Sequence, residues 1–280
     1  MANTTNRMKI RHVAIRVDDL DAATDFYQNF FDFAFMTEYP VRDMHAYHVT
    51  DGNIDIALLK YNEGANSSES LAAGEQPCIH HMGYEVEDFE AGSKDIHSQG
   101  YEIVSDPGVI PLKFRAPGSG VVTEIVPKGR FIDRIDEALE KHQPKQLVSH
   151  IAVKVSDMEA STKYYTDVLG FKNMGKEGDV RDHFSRHLTD GTIDLALISY
   201  NRGSTSSEAL AAGDKPCIHH MGVEVDDINE GLEGLKERGC KIVSDPGVIP
   251  IKFNAPGGGI CEIVPSGRFT GAVEKALNSH

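Results

Sequence analysis

The sequence contains little of what several common protein classes require. Its 280 residues include only four cysteines and no CxxC pair, so no disulfide framework is expected and the thiols are expected to be reduced. Lys and Arg number 28 against 43 Asp and Glu, and the net charge of -15 disfavours binding to nucleic acid or to an anionic membrane. No apolar run reaches the roughly 18 residues of a membrane span, and the start lacks an apolar core of the signal-peptide type. These absences favour a cytoplasmic protein that handles small molecules.

The chain repeats itself at long range. CIHHMGYEVEDFEAG beginning at Cys78 returns as CIHHMGVEVDDINEG beginning at Cys217. IVSDPGVIPLKF from Ile103 returns as IVSDPGVIPIKF from Ile242, and the offset between equivalent residues barely changes along the chain. An apolar content of 40% can fill one or two cores, and the repeat favours two. The sequence therefore predicts two domains of the same fold.

Each copy is expected to end in a helix. GRFIDRIDEALEKH from Gly129 resembles GRFTGAVEKALNSH from Gly267, and both segments have apolar residues at helical spacing. Pro144 stops the first of these helices, and a short polar stretch follows it. The predicted domains are residues 1–144 and 145–280.

A weaker pattern occurs twice inside each copy. It consists of an alternating strand that opens with histidine, an amphipathic helix and three short strands. In the first module HVAIRV from His12 is the strand, and Asp18 or Asp19 can cap the helix that follows. In the second module EIVS, IPLKF and VVTEIV are the three short strands. The order βαβββ predicts an α+β fold of four modules, which span about residues 8–62, 78–128, 147–201 and 217–266.

Each copy also carries a set of residues that bind divalent metals. A histidine opens the first strand of each module and a glutamate lies in the last strand, so strands that meet in a cupped sheet can present one ligand each. Because side chains alternate, His80 and His219 are expected to point to the opposite face from their neighbours in each His-His pair. The predicted ligands are His12, His81 and Glu124 in the first copy and His150, His220 and Glu262 in the second. Two metal ions per chain are therefore predicted, and the alternative is that both sets are relics of a metal fold.

Paired βαβββ modules with these histidines and glutamates resemble the vicinal oxygen chelate superfamily over nearly the whole chain. The resemblance implies two tandem domains with cupped mixed sheets and a divalent metal, with Fe(II) expected first and Mn(II), Zn(II), Co(II) or Ni(II) as alternatives. It implies a small oxygenated organic substrate, with O2 as co-substrate in the oxidative branch. The superfamily includes glyoxalases, methylmalonyl-CoA epimerases, fosfomycin-resistance proteins and extradiol dioxygenases, so the fold alone does not select a reaction. No nucleic acid or membrane partner is expected, and homo-oligomerisation is left open.

One strand position discriminates between these branches. Glyoxalase-like and epimerase-like members resemble one another in placing a fourth ligand, Glu or Gln, where this sequence has Ala57 and Ala196. Three protein ligands remain, which is the facial arrangement associated with non-haem Fe(II) and O2. An extradiol-like dioxygenase is the leading hypothesis. A redox-neutral isomerase or lyase is the alternative, and a non-catalytic binding protein of the bleomycin-resistance type is the third.

Two features of the extradiol pattern do not match. Its acid-base histidine would fall on Ile54 and Ile193, and its tyrosine would fall on Lys113 and Lys252. An ammonium at these two lysines could steady a substrate anion. The alternative for both lysines is a solvated strand end.

Other side chains could replace the missing acid-base group. His48 and His187 are repeat-mates that could do so if they face inward. Asp55 and Asp194 could orient a metal-binding histidine, or they could simply end a turn. The candidate catalytic residues are therefore His48, His187, Lys113, Lys252, Asp55 and Asp194.

Overall fold

The computed structural model describes residues 8–279, and its first half consists of alternating strands and short helices. The strands are β1 (Ile10–Arg16), β2 (Ala34–Val41), β3 (Met44–Thr50), β4 (Asp55–Tyr61), β5 (Cys78–Val86), β6 (Leu112–Arg115) and β7 (Val122–Pro127). The helices are α1 (Leu20–Asn29), α2 (Ser68–Ala73), α3 (Phe89–Ser98) and α4 (Ile132–Leu139). No helix within residues 8–279 is long and apolar enough to cross a membrane.

The second half repeats this order. Its strands are β8 (Leu147–Lys154), β9 (Lys172–Val180), β10 (His183–Thr189), β11 (Asp194–Tyr200), β12 (Cys217–Val225), β13 (Ile251–Asn254) and β14 (Ile260–Pro265). Its helices are α5 (Met158–Lys163), which continues into a π-helical turn (Tyr164–Val168), α6 (Ser207–Ala212), α7 (Ile228–Glu237) and α8 (Thr270–Asn278). The α+β class and the four modules predicted from the sequence are confirmed.

Aspartates start the helices at equivalent places in the two halves. Asp19 and Asp157 accept hydrogen bonds from amides in the first turn of α1 and α5. Asp88 and Asp227 do the same for α3 and α7. Each cap satisfies an amide that has no partner within the helix, which contributes about 1 kcal/mol. Of the two caps considered for α1, Asp19 is therefore the one used.

One predicted strand in each half is reduced to a single bridge. Ile103 pairs only with Phe114, and the equivalent Ile242 pairs only with Phe253. The ladder does not continue because the hydroxyl of Ser105 accepts the hydrogen bond from the amide of Lys113 at 3.0 Å. The second module of each half therefore has a shorter sheet than the first.

The strands of both halves form one mixed sheet. In the first half the order is β2-β3-β4-β1-β5-β7-β6, with β1 parallel to β4 and β5 parallel to β7. The second half repeats this order as β9-β10-β11-β8-β12-β14-β13. The two halves join where Ile79 of β5 pairs with Ile218 of β12. The β1–β5 and β8–β12 pairs therefore lie at the centre of their respective halves.

Alternation along the central strands separates the core from the pockets. On one face of β1 and β4, Val13, Ile15 and Leu58 belong to a core that both halves share. On the other face, His12 and Ala57 line a pocket. The shared core fixes the strands, so the side chains on the pocket face are held in place.

Contacts across the junction make the two halves one packed unit. The ring of Phe26 packs edge-on against Phe253, with ring centroids 5.8 Å apart. Buried carboxylates also tie the halves together, because Asp51 accepts from the amide of Val148 at 2.7 Å. Asp190, the repeat-mate of Asp51, makes the reciprocal contact and accepts a hydrogen bond from the amide of Ile10 at 2.9 Å.

Candidate metal centres

The three predicted ligands of the first half converge on one point. His12 Nε2 lies 3.7 Å from Glu124 Oε1, and His81 Nε2 lies 3.2 Å from Glu124 Oε2. One potential ligand atom from each residue lies within 4.8 Å of the other two, and all three residues are buried. The strand register explains the convergence, since His12 and Glu124 are both paired with Gly83, two residues after His81.

The second half reproduces this arrangement. His150 Nε2 lies 3.9 Å from Glu262 Oε1, and His220 Nε2 lies 3.2 Å from Glu262 Oε2. All three residues are buried, and their ligand atoms again lie within 4.8 Å of one another. His150 and Glu262 are both paired with Gly222.

Glycine is required at the strand position between the ligands. A Cβ at Gly83 would lie 2.8 Å from the Cβ of His12 and 2.9 Å from Glu124 Oε1. A Cβ at Gly222 would lie 2.9 Å from the Cβ of His150. These separations are shorter than van der Waals contact, so any larger residue would push the ligands apart. Neither glycine was predicted from the sequence, although the repeated HMG triplet marks them.

The donor set fits a divalent cation. Two imidazoles and one carboxylate are the ligands that Fe, Mn, Co and Zn accept, and here they are buried together. Glu262 Oε1 is buried and accepts no hydrogen bond from the described residues, which leaves it available to a cation.

The electrostatics of the site favour the metal-binding protonation state of Glu124 and His81 but not of His12. Burial raises the pKa of Glu124, but Lys113 and the two histidines outweigh burial and hold that pKa well below its usual value. Burial lowers the pKa of His81. For His12 the burial effect is overcome by Glu124 and Asp55, which raise its pKa, so a metal would displace a proton there.

A buried carboxylate lies behind one ligand in each half. Asp55 Oδ1 lies 3.6 Å from His12 Nδ1 and 2.7 Å from His48 Nδ1, and Asp194 lies 3.5 Å and 2.6 Å from the equivalent nitrogens. The alternative that these aspartates end a turn is wrong, because Asp51 accepts the turn amides at 2.8 Å. Burial raises the pKa of Asp55, but His48 and His12 lower it far more, so this carboxylate is ionised.

His48 and His187 face the pockets of their halves. This orientation is the one that an acid-base role requires of them. Both are buried and line the pockets of their halves. Because Nδ1 of His48 donates to Asp55, the proton-accepting lone pair of its neutral ring lies on Nε2. The ring centroid of His48 lies 6.3 Å from that of His12, so this nitrogen belongs to the same site.

The two lysines are buried ion-pair partners of the metal-site glutamates. Lys113 Nζ lies 2.8 Å from Glu124 Oε2 and 3.3 Å from Glu69, and Lys252 Nζ lies 2.9 Å from Glu262 Oε2 and 3.4 Å from Glu208. Lys113 is only 5% exposed. The alternative of a solvated strand end is therefore wrong for both lysines.

The prediction for His80 and His219 is also wrong. The β1–β5 register shifts between Ala14 and Ile15, which places a bulge at His80 and disturbs the simple alternation. As a result, His80 Nδ1 lies 2.8 Å from His81 Nδ1, and the equivalent nitrogens of His219 and His220 are 2.6 Å apart. These neighbours therefore contact the proposed ligands directly.

In each half a phenylalanine that was not predicted from the sequence covers the first histidine of the triad. Phe131 stacks on His12 with centroids 4.6 Å apart, and Phe269 stacks on His150 at 4.1 Å. Glu85 holds the start of α4 by accepting from the amides of Phe131 and Ile132. The repeated GRF triplet was the sequence signal for these rings.

The side chains at each site line a pocket open to solvent. The first pocket encloses about 160 Å³ and the second about 250 Å³. Ala57 and Ala196 line their pockets, so the strand position that could carry a fourth ligand holds only a methyl group. The metal-facing side of each centre is open toward this space.

Comparisons with known proteins agree with this architecture. A probable lactoylglutathione lyase of Arabidopsis thaliana is 30% identical over 39% of this chain and 30% of its own length. A methylmalonyl-CoA epimerase of Bos taurus is 28% identical over 35% of the chain, and the match spans 57% of that enzyme. The matched segments therefore span less than two thirds of either relative.

A solved structure matches over almost the whole chain. A mutant of 4-hydroxymandelate synthase from Streptomyces coelicolor superposes with a TM-score of 0.68 and 16% identity, covering 97% of this chain and all of that one. At this identity the likeness concerns the fold. The model of the Glyoxalase/Bleomycin resistance protein/Dioxygenase superfamily matches residues 9–116 and 147–253, one match in each half. Two matches to one family model, on a chain whose halves share a fold and a ligand set, mean that this protein belongs to that superfamily.

Proposed function

We propose that each half of the chain is a divalent-metal centre of an enzyme that binds a small substrate through two adjacent oxygens. His12, His81 and Glu124 would hold the first metal, and the equivalent triad would hold the second. We further propose that the metal is Fe(II) and that the reaction is an extradiol-like oxidation by O2. The observation that carries this proposal is the methyl group of Ala57 at the fourth ligand position, which leaves a three-ligand face.

The chain's own groups would position the metal ligands and move the proton. When bound, the metal would supply Lewis acidity for the substrate oxygens, and Fe(II) would add the redox chemistry that consumes O2. Phe131 stacks on the ring of His12 and would fix its orientation, and Asp55 Oδ1, 3.6 Å from His12 Nδ1, would add an electrostatic attraction. His48 Nε2 would accept the proton of a substrate hydroxyl, because Asp55 holds the other ring nitrogen.

Lys113 would steady negative charge on the substrate or on Glu124. Its ammonium is buried beside both the glutamate and the pocket, where a charge acts more strongly than in water. The chain therefore has an acid-base group and a cation on the pocket side without the histidine and tyrosine of the usual extradiol pattern.

The test is oxygen consumption by the iron-loaded protein. Protein reconstituted with Fe(II) without air is expected to take up O2 with at least one member of a panel of catechols and hydroxyketones. The Glu124→Ala/Glu262→Ala double variant is the matched control and is expected to take up none. Wild-type protein that holds iron but shows no substrate-dependent uptake across the panel would count against the oxidative proposal.

A redox-neutral reaction is the second candidate. The two curated relatives are named as a lyase and an epimerase, and the His48–Asp55 pair supplies the base that proton transfer next to a carbonyl requires. This candidate predicts activity with Zn(II), Co(II) or Ni(II) without O2. Solvent deuterium in the recovered substrate would support it, and stoichiometric binding without turnover would instead support the binding-protein alternative.

The domain limits are part of the same proposal. We place the boundary between residues 144 and 145, where the segment after α4 leads into β8. Each proposed domain then contains one complete triad, so each would bind its own metal.

A further inference from the structure

A tyrosine and an arginine contact each other at the wall of the first pocket. Tyr39 of β2 stacks on His48 with ring centroids 5.2 Å apart and an angle of 17° between the planes. Arg134 of α4 donates to the Tyr39 hydroxyl at 3.2 Å, and its guanidinium carbon lies 5.8 Å from the centroid of the tyrosine ring. Both residues line the pocket. We call this pair the Tyr39–Arg134 cap.

The second pocket lacks both members of the cap. Tyr39 is paired with Ala46, and the equivalent pair in the second half is Gly178 with Ser185. Arg134 lies three residues after the phenylalanine of GRF, where the second copy has Ala272. The second pocket therefore lacks the ring and the guanidinium that line this wall of the first pocket.

Arg134 is a cation without an acidic partner in the described part of the chain. It is half-buried, and its contacts from residues 8–279 are to the ring and hydroxyl of Tyr39. Lys113 and Arg42, which also line the first pocket, differ from it, because Lys113 is paired with Glu124 and Arg42 with Asp106. In a protein of net charge -15, an unpaired guanidinium held at a pocket wall suits an anionic ligand.

Among residues 8–279, the second pocket has no half-buried, unpaired guanidinium like that of Arg134. Arg181 is paired with Glu208, and Lys176 of β9 lines the pocket as an exposed ammonium. Arg130 and Arg268 are exposed repeat-mates at the mouths of the two pockets, so they do not distinguish the two sites. The difference between the pockets therefore rests on the Tyr39–Arg134 cap.

We propose that Arg134 is a specificity residue that binds a carboxylate of the substrate in the first site. The first site would then select substrates that carry a carboxylate beside their two chelating oxygens, whereas the second site would not distinguish them from uncharged ones. A planar guanidinium binds a carboxylate through two parallel hydrogen bonds, and Tyr39 holds it in place before the substrate arrives. This inference rests on the proposed chelating function.

The test compares two chelating probes at one site at a time. Glu262→Ala leaves the first site loaded and Glu124→Ala leaves the second, and Zn(II) prevents oxidative turnover. Calorimetric titration with catechol and with 3,4-dihydroxybenzoate gives the preference of each site for the carboxylated probe. We expect a preference of about tenfold or more at the first site, the effect of a charge-assisted hydrogen bond, and of about threefold or less at the second.

Variants of the cap identify the group responsible. Arg134→Gln in the first-site protein is expected to lower the preference to that of the second site while the catechol affinity stays the same. Arg130→Gln removes a guanidinium from the same pocket mouth and is expected to leave the preference within about twofold. A preference that survives Arg134→Gln, or that Arg130→Gln abolishes, would overturn the inference.

Failure of the proposed function would look different. If neither probe binds either Zn-loaded site, the chelating function itself is wrong. If catechol binds both sites in a Zn-dependent way but the carboxylate makes no difference, the function stands and the role of Arg134 is refuted.

Discussion

The two halves of the molecule agree at the centre of each pocket and differ at its mouth. The triad, the lysine, the inward-facing histidine, the aspartate behind it, the stacked phenylalanine and the strand glycine are the same residue types in both halves. The Tyr39–Arg134 cap of the first half is replaced by Gly178 and Ala272 in the second. A shared centre with different mouths is the arrangement expected if, as proposed, one type of chemistry is applied to two kinds of substrate.

The surroundings of the buried lysines also differ. In the second half Arg181 lies 3.2 Å from Glu208, so that glutamate has two cationic partners. In the first half the equivalent Arg42 lies 3.4 Å from Asp106 instead, which leaves Lys113 as the cation beside Glu69 among the described residues. The same residue types thus form different ion-pair networks at the two pocket mouths.

The largest expected effect is the loss of one metal from one half. Glu124→Ala and Glu262→Ala each remove the one carboxylate ligand of a triad, so each variant is expected to bind one metal per chain. Elemental analysis with protein quantification measures this number, and circular dichroism checks the fold. If either variant retained two metals, or lost both, the sites would not be the independent centres described.

The next largest effect concerns the inward-facing histidines. In a protein with one loaded site, His48→Gln is expected to lower turnover at the first site by about 10²–10⁴-fold, because the proton acceptor beside Asp55 is lost. His187→Gln should do the same at the second site. Metal content should stay unchanged, since neither residue belongs to a triad. A variant with full turnover would show that the proton is moved by another group.

The buried lysines give a smaller and unequal effect. Lys113→Met removes the ammonium beside the buried Glu124 and the partly buried Glu69, which is expected to cost the metal-free protein about 3–5 kcal/mol in free energy of unfolding. Lys252→Met should cost less, because Arg181 still contacts Glu208. Urea unfolding of the two variants, with and without metal, measures both losses of unfolding free energy. Equal losses in the two variants would contradict the role given to Arg181.

The smallest effect concerns the glutamates that hold the stacked phenylalanines. Glu224 accepts from the amides of Gly267, Phe269 and Thr270 and from the Thr270 hydroxyl, whereas Glu85 accepts from two amides. Glu224→Gln is therefore expected to cost about 1–3 kcal/mol in free energy of unfolding, and Glu85→Gln less.

The pH dependence of Glu224 sharpens that comparison. Burial raises its pKa, but the amides of α8 outweigh burial and lower it below the usual glutamate value. The stabilisation that ionised Glu224 gives the folded protein is thus complete above the pKa of a glutamate in the unfolded chain. It is lost as the pH falls through the lower pKa that Glu224 has in the folded protein. The stability difference between wild type and Glu224→Gln should shrink on acidification through that range. A stability difference that grows as the pH falls would contradict this role of Glu224.

The sequence predicted the parts of the site that depend on repetition and strand alternation. The βαβββ order and the positions of the two triads follow from period-two side-chain alternation within a repeat, whereas the orientation of His48 was left open. Sequence reasoning misassigned His80 because the bulge in β5 breaks that alternation. It could not decide between turn and site for Asp55, since only the folded chain places it between His48 and His12.

The contacts at the pocket mouth lay beyond the reach of the sequence. Tyr39 and Arg134 are about a hundred residues apart, and nothing in local propensity links a strand residue to a helix residue across that distance. The positioning role of Phe131 likewise depends on how α4 packs on the first half. The repeat could have flagged the cap, because Tyr39 and Arg134 change together between two otherwise similar copies.

Metal stoichiometry tests the account most directly. Wild-type protein purified without added metal, stripped, and reloaded with a single divalent ion under anaerobic conditions is expected to hold two ions per chain. It should hold one in either single glutamate variant and none in the double variant. A wild-type value of zero, or of one that is unaffected by Glu262→Ala, would contradict the claim that each half contains a working metal centre.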